Sequence, residues 1–150
     1  MRLELLDLGL EANSAEQVIL ALADRLAAQG LVRAEFGPAV WQREQASPTG
    51  LPARGAGVAI PHGDPDLVLA PAIGFAKLAR PVAFREMGNP GATVSVELVF
   101  MLALQEAASH LRVLQQLVEL IRDEGTLLRL KAAREPAEAA ALLAPVAGGG

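Results

Sequence analysis

The chain contains no cysteine, so disulfide bonds, thiolate metal sites and thiol catalysis are excluded. Its 13 basic residues are outnumbered by 17 acidic ones and interspersed with them, so it lacks the basic stripe of a nucleic-acid surface. The longest uninterrupted apolar run, Leu98 to Leu104, is far shorter than the ~20 residues of a membrane span. The first residues, with Glu4 and Asp7, do not resemble a signal peptide. We therefore expect a soluble cytoplasmic protein that neither binds nucleic acid nor inserts into a membrane.

Aromatic residues are also scarce, at 3%, although 52% of the 150 residues are hydrophobic. A chain of this composition folds around a core, and its length suits one domain. We expect a single domain over residues 1–150, with a core from about residue 5 to about residue 143. The remaining residues, 144–150, are expected to form a frayed tail.

Helical signals lie towards the two ends of the chain. Ser14 to Gln17 has the form of a capping box, and the apolar-periodic segment that follows stops before Gly30. A weaker helix is predicted over Phe36–Gln45. Three further helices are predicted in the C-terminal third, with a break at Gly125: Ser109–Asp123, Thr126–Ala133 and Pro136–Leu143.

The middle of the chain alternates short apolar runs with loops. The glycine- and proline-rich segments Pro48–Gly57 and Arg85–Ala92 are predicted to be loops. The apolar runs have strand character: Val58–Ile60, Ala72–Leu78, Val82–Phe84 and Val94–Leu104. Strands preceded and followed by helices predict an α/β fold in which helices cover both faces of a sheet.

His62 is the first candidate for chemistry, and it is one of only two histidines. It follows the apolar run Gly57–Ile60 directly after Pro61, so rigid scaffold holds it at the end of a strand and leaves it open to solvent. Gly63 beside it leaves room for a partner to approach. A structural histidine that bonds a loop carbonyl is the plain alternative, but these neighbours favour a functional one.

Three other side chains are candidates for binding an anion. His110 falls at the start of the predicted helix over 109–123, where unpaired amides and a positive dipole attract phosphate and favour neutral imidazole. Arg43 could bind a phosphate or carboxylate with its two-pronged guanidinium, and Thr49 could donate to an anion from the loop. Each also has an ordinary structural explanation. His110 would be an exposed residue in the first turn of a helix, Arg43 a solvated cation and Thr49 a turn residue.

Two competing chemistries are less well supported. His62, Asp64, Asp66 and His110 could in principle bind zinc or iron, but their spacing matches no helical metal signature. A Ser–His–Asp hydrolase would need a nucleophile elbow, which the few serines do not form. These residues therefore predict neither a metal site nor a hydrolase triad.

Three segments together carry a family resemblance: Arg43-Glu44, Pro48-Thr49-Gly50 and Gly57-Val-Ala-Ile-Pro-His62. They resemble the IIA components of the sugar phosphotransferase system (PTS), in the type 2 or fructose/mannitol superfamily. Further motifs, such as His62-Gly-Asp-Pro65 and Leu98-Val-Phe-Met-Leu-Ala103, look most like the galactitol-type branch. The resemblance extends from about residue 15 to about residue 130 and also includes the helix with His110.

The resemblance implies a three-layer α/β/α sandwich around a mixed sheet, and a phosphoryl relay without metal or cofactor. His62 would accept a phosphoryl group from phosphorylated HPr, the histidine phosphocarrier protein, as the nucleophile. It would pass the group to a cysteine on a IIB component, which serves the IIC membrane permease. His110 would orient or stabilise the phosphoryl group, Arg43 would be the cation beside it, and Thr49 and Gly63 would contribute to phosphate binding.

Two functions remain open within this resemblance. The first is a stand-alone IIA protein of galactitol-like sugar uptake, with IIB on a separate chain because this one lacks cysteine. The second is a regulatory IIA-like module that signals through its phosphorylation state. A docking surface for HPr is expected around His62, as a shallow apolar patch ringed by polar residues.

Overall fold

The computed structural model describes residues 2–147 of the chain. The strands are β1 (Arg2–Leu10), β2 (Gly50–Pro52), β3 (Gly57–Ala59), β4 (Ala72–Glu86) and β5 (Asn89–Ala103). The helices are α1 (Ala15–Ala28), α2 (Phe36–Ala46), α3 (Ala107–Ile121), α4 (Glu124–Ala132) and α5 (Pro136–Ala147), and a 3-10 turn covers Pro65–Leu67. Over this part of the chain, every helix is too short or too polar to span a membrane.

The strands form one five-stranded mixed sheet. β4 and β5 make a long antiparallel hairpin that turns at Met87 and Gly88. Gly88 has a φ of +78°, a left-handed conformation that glycine adopts without strain. β1 pairs parallel to β4, β3 pairs parallel to β5, and β2 pairs antiparallel to β3. Parallel and antiparallel pairs therefore coexist around the central hairpin.

Helices cover both faces of this sheet. Along β5, Val99 and Met101 belong to the core that α1 and α2 close, whereas Leu98 and Phe100 belong to the core that α3, α4 and α5 close. Successive side chains of a strand point to opposite faces, so a strand buried on both faces reads as an unbroken apolar run. The expected three-layer α/β/α sandwich is confirmed.

The start of α1 follows its predicted signal. The Ser14 side chain accepts a hydrogen bond from the backbone N–H of Gln17, at 3.2 Å, and the backbone N–H of Asn13 donates to the Gln17 side chain at 2.8 Å. The helix is followed by Gly30 at a φ of +75°. Val18 and Leu22 on its predicted apolar face are fully buried.

Two strands are absent from the sequence-based prediction. β1 has no clean period of two, because Leu5 and Leu6 are adjacent in it. Its register against β4 also shifts after Leu5, and most of its residues are only half-buried. β2 lies inside the predicted loop 48–57, where proline and glycine conceal a three-residue strand.

Helix boundaries in the C-terminal third also differ from the prediction. Gly125 does not break a helix: it is the second residue of α4, and the break falls at Arg122 and Asp123. The Asp123 carboxylate accepts a hydrogen bond from the backbone N–H of Thr126 at 3.2 Å, so this aspartate caps α4. α5 continues to Ala147, so residues 144–147 of the expected tail are helical, and residues 148–150 lie outside the described range.

Candidate functional site

The site forms where β3 and β5 end side by side. These strands are parallel, and the pairing continues beyond β3 as a single bridge between His62 and Leu102. The backbone N–H of Leu102 donates to the carbonyl oxygen of Pro61 at 2.9 Å. The carboxyl ends of parallel strands meet at one edge of the sheet, which is where open α/β sheets hold their ligands. His62 therefore lies next to the end of β5, just before α3 begins.

A backbone hydrogen bond sets the tautomer of His62. Its Nδ1 lies 2.9 Å from the carbonyl oxygen of Ile60. A carbonyl oxygen only accepts hydrogen bonds, so Nδ1 carries the proton and Nε2 keeps its free lone pair. The carbonyl bond that the sequence analysis considered as an alternative to function is thus present. It leaves Nε2 unbonded among residues 2–147 and available as a nucleophile.

His110 lies in the first turn of α3, which begins at Ala107, two residues earlier than predicted. Its ring centroid is 4.9 Å from that of His62, and the two rings are inclined at 64°. The N-cap residue, Glu106, makes no side-chain capping bond, so the first amides of α3 stay available for an anion. The structure thus brings the two predicted histidines together.

Arg43, in the last turn of α2, completes the group. It lines the same cleft as both histidines, although β2 and β3 separate it from His62 along the chain. Among residues 2–147 no acidic side chain forms an ion pair with it. Its positive charge is therefore free to bind an anionic group from outside the protein.

The cleft has a volume of about 300 Å³. Its polar lining consists of Arg43, His62, Glu106 and His110, and its apolar wall includes Leu111. Leu111 is a large apolar residue of α3, yet 59% of its surface is exposed. An apolar patch around His62 was expected, but neither Glu106 nor the residues of the apolar wall were predicted, because helical periodicity does not reveal which residues of a first turn border a cleft.

The structure places Gly63 at the cleft and Thr49 in the interior of the protein. Gly63 lines the cleft and packs against α2, where an added Cβ would lie 2.7 Å from Cγ2 of Val40. Thr49 does not line the cleft: only 3% of its surface is exposed, and its hydroxyl group donates to Glu44 and accepts from the Ile60 N–H. The expectation that Thr49 binds phosphate is therefore corrected, since its hydroxyl group is already engaged inside the protein.

Burial lowers the pKa of His62 below its ordinary value, and the nearby Arg43 and His110 lower it further, whereas the hydrogen bond to Ile60 acts in the opposite direction. Burial also lowers the pKa of His110, with Arg43 adding to the effect. Both rings are therefore neutral at physiological pH. Within residues 2–147, no group of three His, Asp or Glu side chains lies close enough to hold a metal ion.

These shifts predict how stability depends on pH. Between the lowered folded-state pKa values and the ordinary value of about 6.5, the unfolded chain binds more protons than the folded one. The stability contributed by the neutral rings is thus complete above about pH 6.5 and is lost as the pH falls towards their folded-state pKa values. Urea unfolding at a series of pH values should show that the free energy of unfolding declines as the pH is lowered from about 7.5 to about 5.5. In a double variant, His62→Gln with His110→Gln, the free energy of unfolding should depend less strongly on pH. If the pH dependence is unchanged, the two histidines are not its cause.

The fold and the cleft define an α/β protein in which a neutral imidazole with an unbonded Nε2 lies beside a free guanidinium and a helix N-terminus. Residues 1–145 match the family described as the phosphoenolpyruvate-dependent sugar phosphotransferase system, EIIA 2. The chain belongs to this family. The type 2 IIA resemblance seen in the sequence is confirmed.

Two relatives show how the chain compares in length. It is 33% identical over 131 residues to the 2-O-alpha-mannosyl-D-glycerate-specific EIIABC component of Escherichia coli, with 84% of this chain and 19% of that protein covered. It is 36% identical over 132 residues to a nitrogen regulatory protein of Bradyrhizobium diazoefficiens, with 85% of this chain and 80% of that protein covered. The chain therefore spans a small part of the first relative and most of the second.

The fold also matches the mannitol IIA enzyme of E. coli, solved in two forms. Its crystal structure has a TM-score of 0.75 at 27% sequence identity and covers 95% of each chain. Its solution complex with the phosphorylated IIB enzyme has a TM-score of 0.74 at 25% identity and covers 98% of this chain and 94% of that one. The similarity to both extends over almost the entire chain.

Proposed function

We propose that this chain is a phosphocarrier that accepts a phosphoryl group on Nε2 of His62 and passes it to a cysteine of a IIB component. The observation that carries the proposal is the state of the His62 ring. Its Nδ1–H is held by the Ile60 carbonyl, and its other nitrogen is unbonded, among residues 2–147, in a cleft that also contains His110 and Arg43. The family's place in a sugar phosphotransferase system supports the same chemistry.

The transfer needs no change of tautomer. The Nε2 lone pair forms the new N–P bond while the P–N bond to the donor phosphohistidine of HPr breaks and its electron pair returns to the donor ring. Nδ1 of His62 keeps its proton throughout. The ring becomes cationic once Nε2 is phosphorylated, and the hydrogen bond from Nδ1 to the Ile60 carbonyl stabilises that charge. In the second transfer, a cysteine thiolate forms the S–P bond and His62 leaves as neutral imidazole.

His110, Arg43 and Gly63 assist by position and charge. Phosphoryl transfer depends on placing the group and stabilising its oxygens more than on covalent chemistry by the protein. The Arg43 guanidinium and the first amides of α3 supply positive charge at the cleft, and His110 lies against the reacting ring. Gly63 lets the backbone next to His62 pack closely on α2, because an added Cβ would lie 2.7 Å from Cγ2 of Val40.

HPr as donor and a IIB component as acceptor would bind at the rim of this cleft. Leu111 is exposed there, next to Leu104 and Leu114, which also line the cleft. Leu111 gives this rim an exposed apolar contact beside the polar centre, and a small surface of this kind suits partners that must bind and part quickly. The mannitol IIA enzyme, which shares this fold, has been solved bound to its phosphorylated IIB enzyme. IIC would follow IIB at the membrane, while this chain acts in the cytoplasm as one domain.

For the transported sugar, we retain the galactitol-like assignment, which rests on the motifs His62-Gly-Asp-Pro65 and Leu98-Val-Phe-Met-Leu-Ala103. A regulatory role is the second candidate. The observation that favours it is the 36% identity to a nitrogen regulatory protein, 80% of which is covered by this chain. Both roles would use the same phosphohistidine, and they differ in whether a IIB cysteine receives the group.

One assay tests the proposal and separates the two roles. The purified chain is incubated with phosphoenolpyruvate, enzyme I and HPr, and then with candidate IIB proteins. We expect one phosphoryl group per chain, labile in acid and stable in base, mapped to His62 by mass spectrometry, and then lost to a IIB protein. Labelling without transfer to any IIB protein would favour the regulatory role. No labelling would refute the phosphocarrier function.

A further inference from the structure

The interior of the protein contains a carboxylate that phosphoryl transfer does not use directly. Among residues 2–147, Glu44 and Thr49 are the polar or charged residues that are fully buried, at 5% and 3% exposure. The backbone N–H and the hydroxyl group of Thr49 both donate to the Glu44 carboxylate, each at 2.8 Å. Burying a carboxylate away from water is costly unless its oxygens are bonded, so this pair calls for an explanation.

The bonds continue from this pair to the reactive ring. The backbone N–H of Ile60 donates to Oγ1 of Thr49 at 3.2 Å, and the carbonyl oxygen of Ile60 accepts from Nδ1–H of His62 at 2.9 Å. The direction of each bond follows from the groups involved: the Glu44 carboxylate can only accept, so the Thr49 hydroxyl group donates to it and accepts from the Ile60 N–H with an oxygen lone pair. Glu44, Thr49, Ile60 and His62 therefore form one connected chain, which we name the Glu44 network.

The network also joins the two sides of the cleft. Glu44 and Arg43 are neighbours in α2, and Arg43 reaches into the cleft while Glu44 is bonded inside the protein. The same buried carboxylate thus ties the helix that carries the cation to the backbone that holds the nucleophile. The close packing of Gly63 on Val40 of α2 supports the other side of His62.

We propose that Glu44 and Thr49 are positioning residues for the reaction of His62. They hold the Ile60 backbone so that its carbonyl receives Nδ1–H, which leaves the lone pair on Nε2. If that carbonyl moved, the ring would gain access to the other neutral tautomer, whose proton lies on Nε2 and blocks attack there. Buried partners of this kind orient a reactive imidazole much as they orient a metal-binding one.

The test removes one hydroxyl group. Thr49→Val keeps the shape of the side chain and the backbone bond to Glu44, but its side chain can neither donate to Glu44 nor accept from Ile60. Thr49→Ser restores both side-chain bonds. Nitrogen NMR of the His62 ring measures which nitrogen carries the proton. We expect Nδ1–H in the unaltered protein and in Thr49→Ser, and a mixture of tautomers in Thr49→Val. Phosphoryl acceptance from phosphorylated HPr should fall about tenfold in Thr49→Val and recover in Thr49→Ser.

Ser14→Ala serves as a control for lost stability, because it removes the α1 cap that bonds Gln17 and leaves the network intact. It should preserve the tautomer and the rate. If Thr49→Val does not fold, Glu44→Gln applies the same test from the other end of the network. A ring that stays entirely Nδ1–H in folded Thr49→Val or Glu44→Gln would overturn the proposal.

The rate measurement rests on the proposed function, but the tautomer measurement does not. If Thr49→Val shifts the tautomer and even the unaltered protein accepts no phosphoryl group, the phosphocarrier function fails while the positioning role stands. If the unaltered protein is phosphorylated on His62 and the variant keeps both its tautomer and its rate, the positioning role fails alone.

Discussion

His62→Ala should reduce phosphoryl acceptance from phosphorylated HPr to background. The methyl group of alanine offers no lone pair. The second imidazole of the cleft, that of His110, cannot take its place, because its ring centroid lies 4.9 Å from that of His62. Electrostatic assistance from Arg43 and α3 cannot replace the atom that forms the bond to phosphorus. Radiolabelled phosphoenolpyruvate with enzyme I and HPr measures the loss, and circular dichroism verifies that the variant is folded.

His110→Ala is the matched control for this experiment, because it removes the second imidazole from the same cleft. We expect transfer to slow by about 10-fold to 100-fold and to remain measurable, since His110 assists the reaction and forms no bond to phosphorus. The reverse pattern, with labelling lost in His110→Ala and kept in His62→Ala, would show that the roles of the two rings have been exchanged.

Arg43→Ala should lower the rate of phosphoryl transfer by about 100-fold, with the fold unchanged. The guanidinium lines the cleft and has no acidic partner among residues 2–147, so its charge is available to the oxygens of the phosphoryl group. Arg43→Lys should recover part of the rate, since an ammonium group restores the charge without the planar two-point contact. Single-turnover transfer from phosphorylated HPr measures both variants.

The same substitution should be visible in a second measurement. Arg43 lowers the pKa values of both His62 and His110, so its removal should raise both towards the ordinary value in an NMR titration. Arg134→Ala is a charge-matched control, because Arg134 is exposed in the connection between α4 and α5. It should change neither the rate nor the two pKa values. If the two histidine pKa values and the rate of phosphoryl transfer in Arg43→Ala equal those of the unaltered protein, the role of the guanidinium is contradicted.

Much of the fold could be predicted because its signals are local. Ser14 caps α1 through bonds within four residues, and the run Leu98–Leu104 is apolar because β5 is buried on both faces. β1 could not be predicted in the same way. It is a half-buried strand with an irregular register, so its leucines do not alternate with polar residues. Its pairing with β4, some 70 residues later, is what makes it a strand.

The prediction of the site residues likewise depended on whether their signals are local or long-range. The sequence pointed to His62, His110, Arg43 and Gly63 because residue type and position relative to a strand or helix end are readable locally, and all four line one cleft. Thr49 was placed wrongly, because a loop hydroxyl can face either solvent or the interior. The pairing of Gly50 with Ala59 between β2 and β3 decides that choice, since it brings Thr49 next to Ile60.

The residues alone were enough to indicate a histidine nucleophile, an α/β sandwich and chemistry without thiols, because residue chemistry, side-chain periodicity and helix caps act over a few neighbours. The meeting of the two imidazoles depended on the parallel pairing of β3 with β5, and the bonds that join Glu44 of α2 to Thr49 and Thr49 to Ile60 depended on how the chain folds back after α2. These features join segments that are distant in sequence. Their formation is governed by long-range packing and burial, which no local pattern encodes.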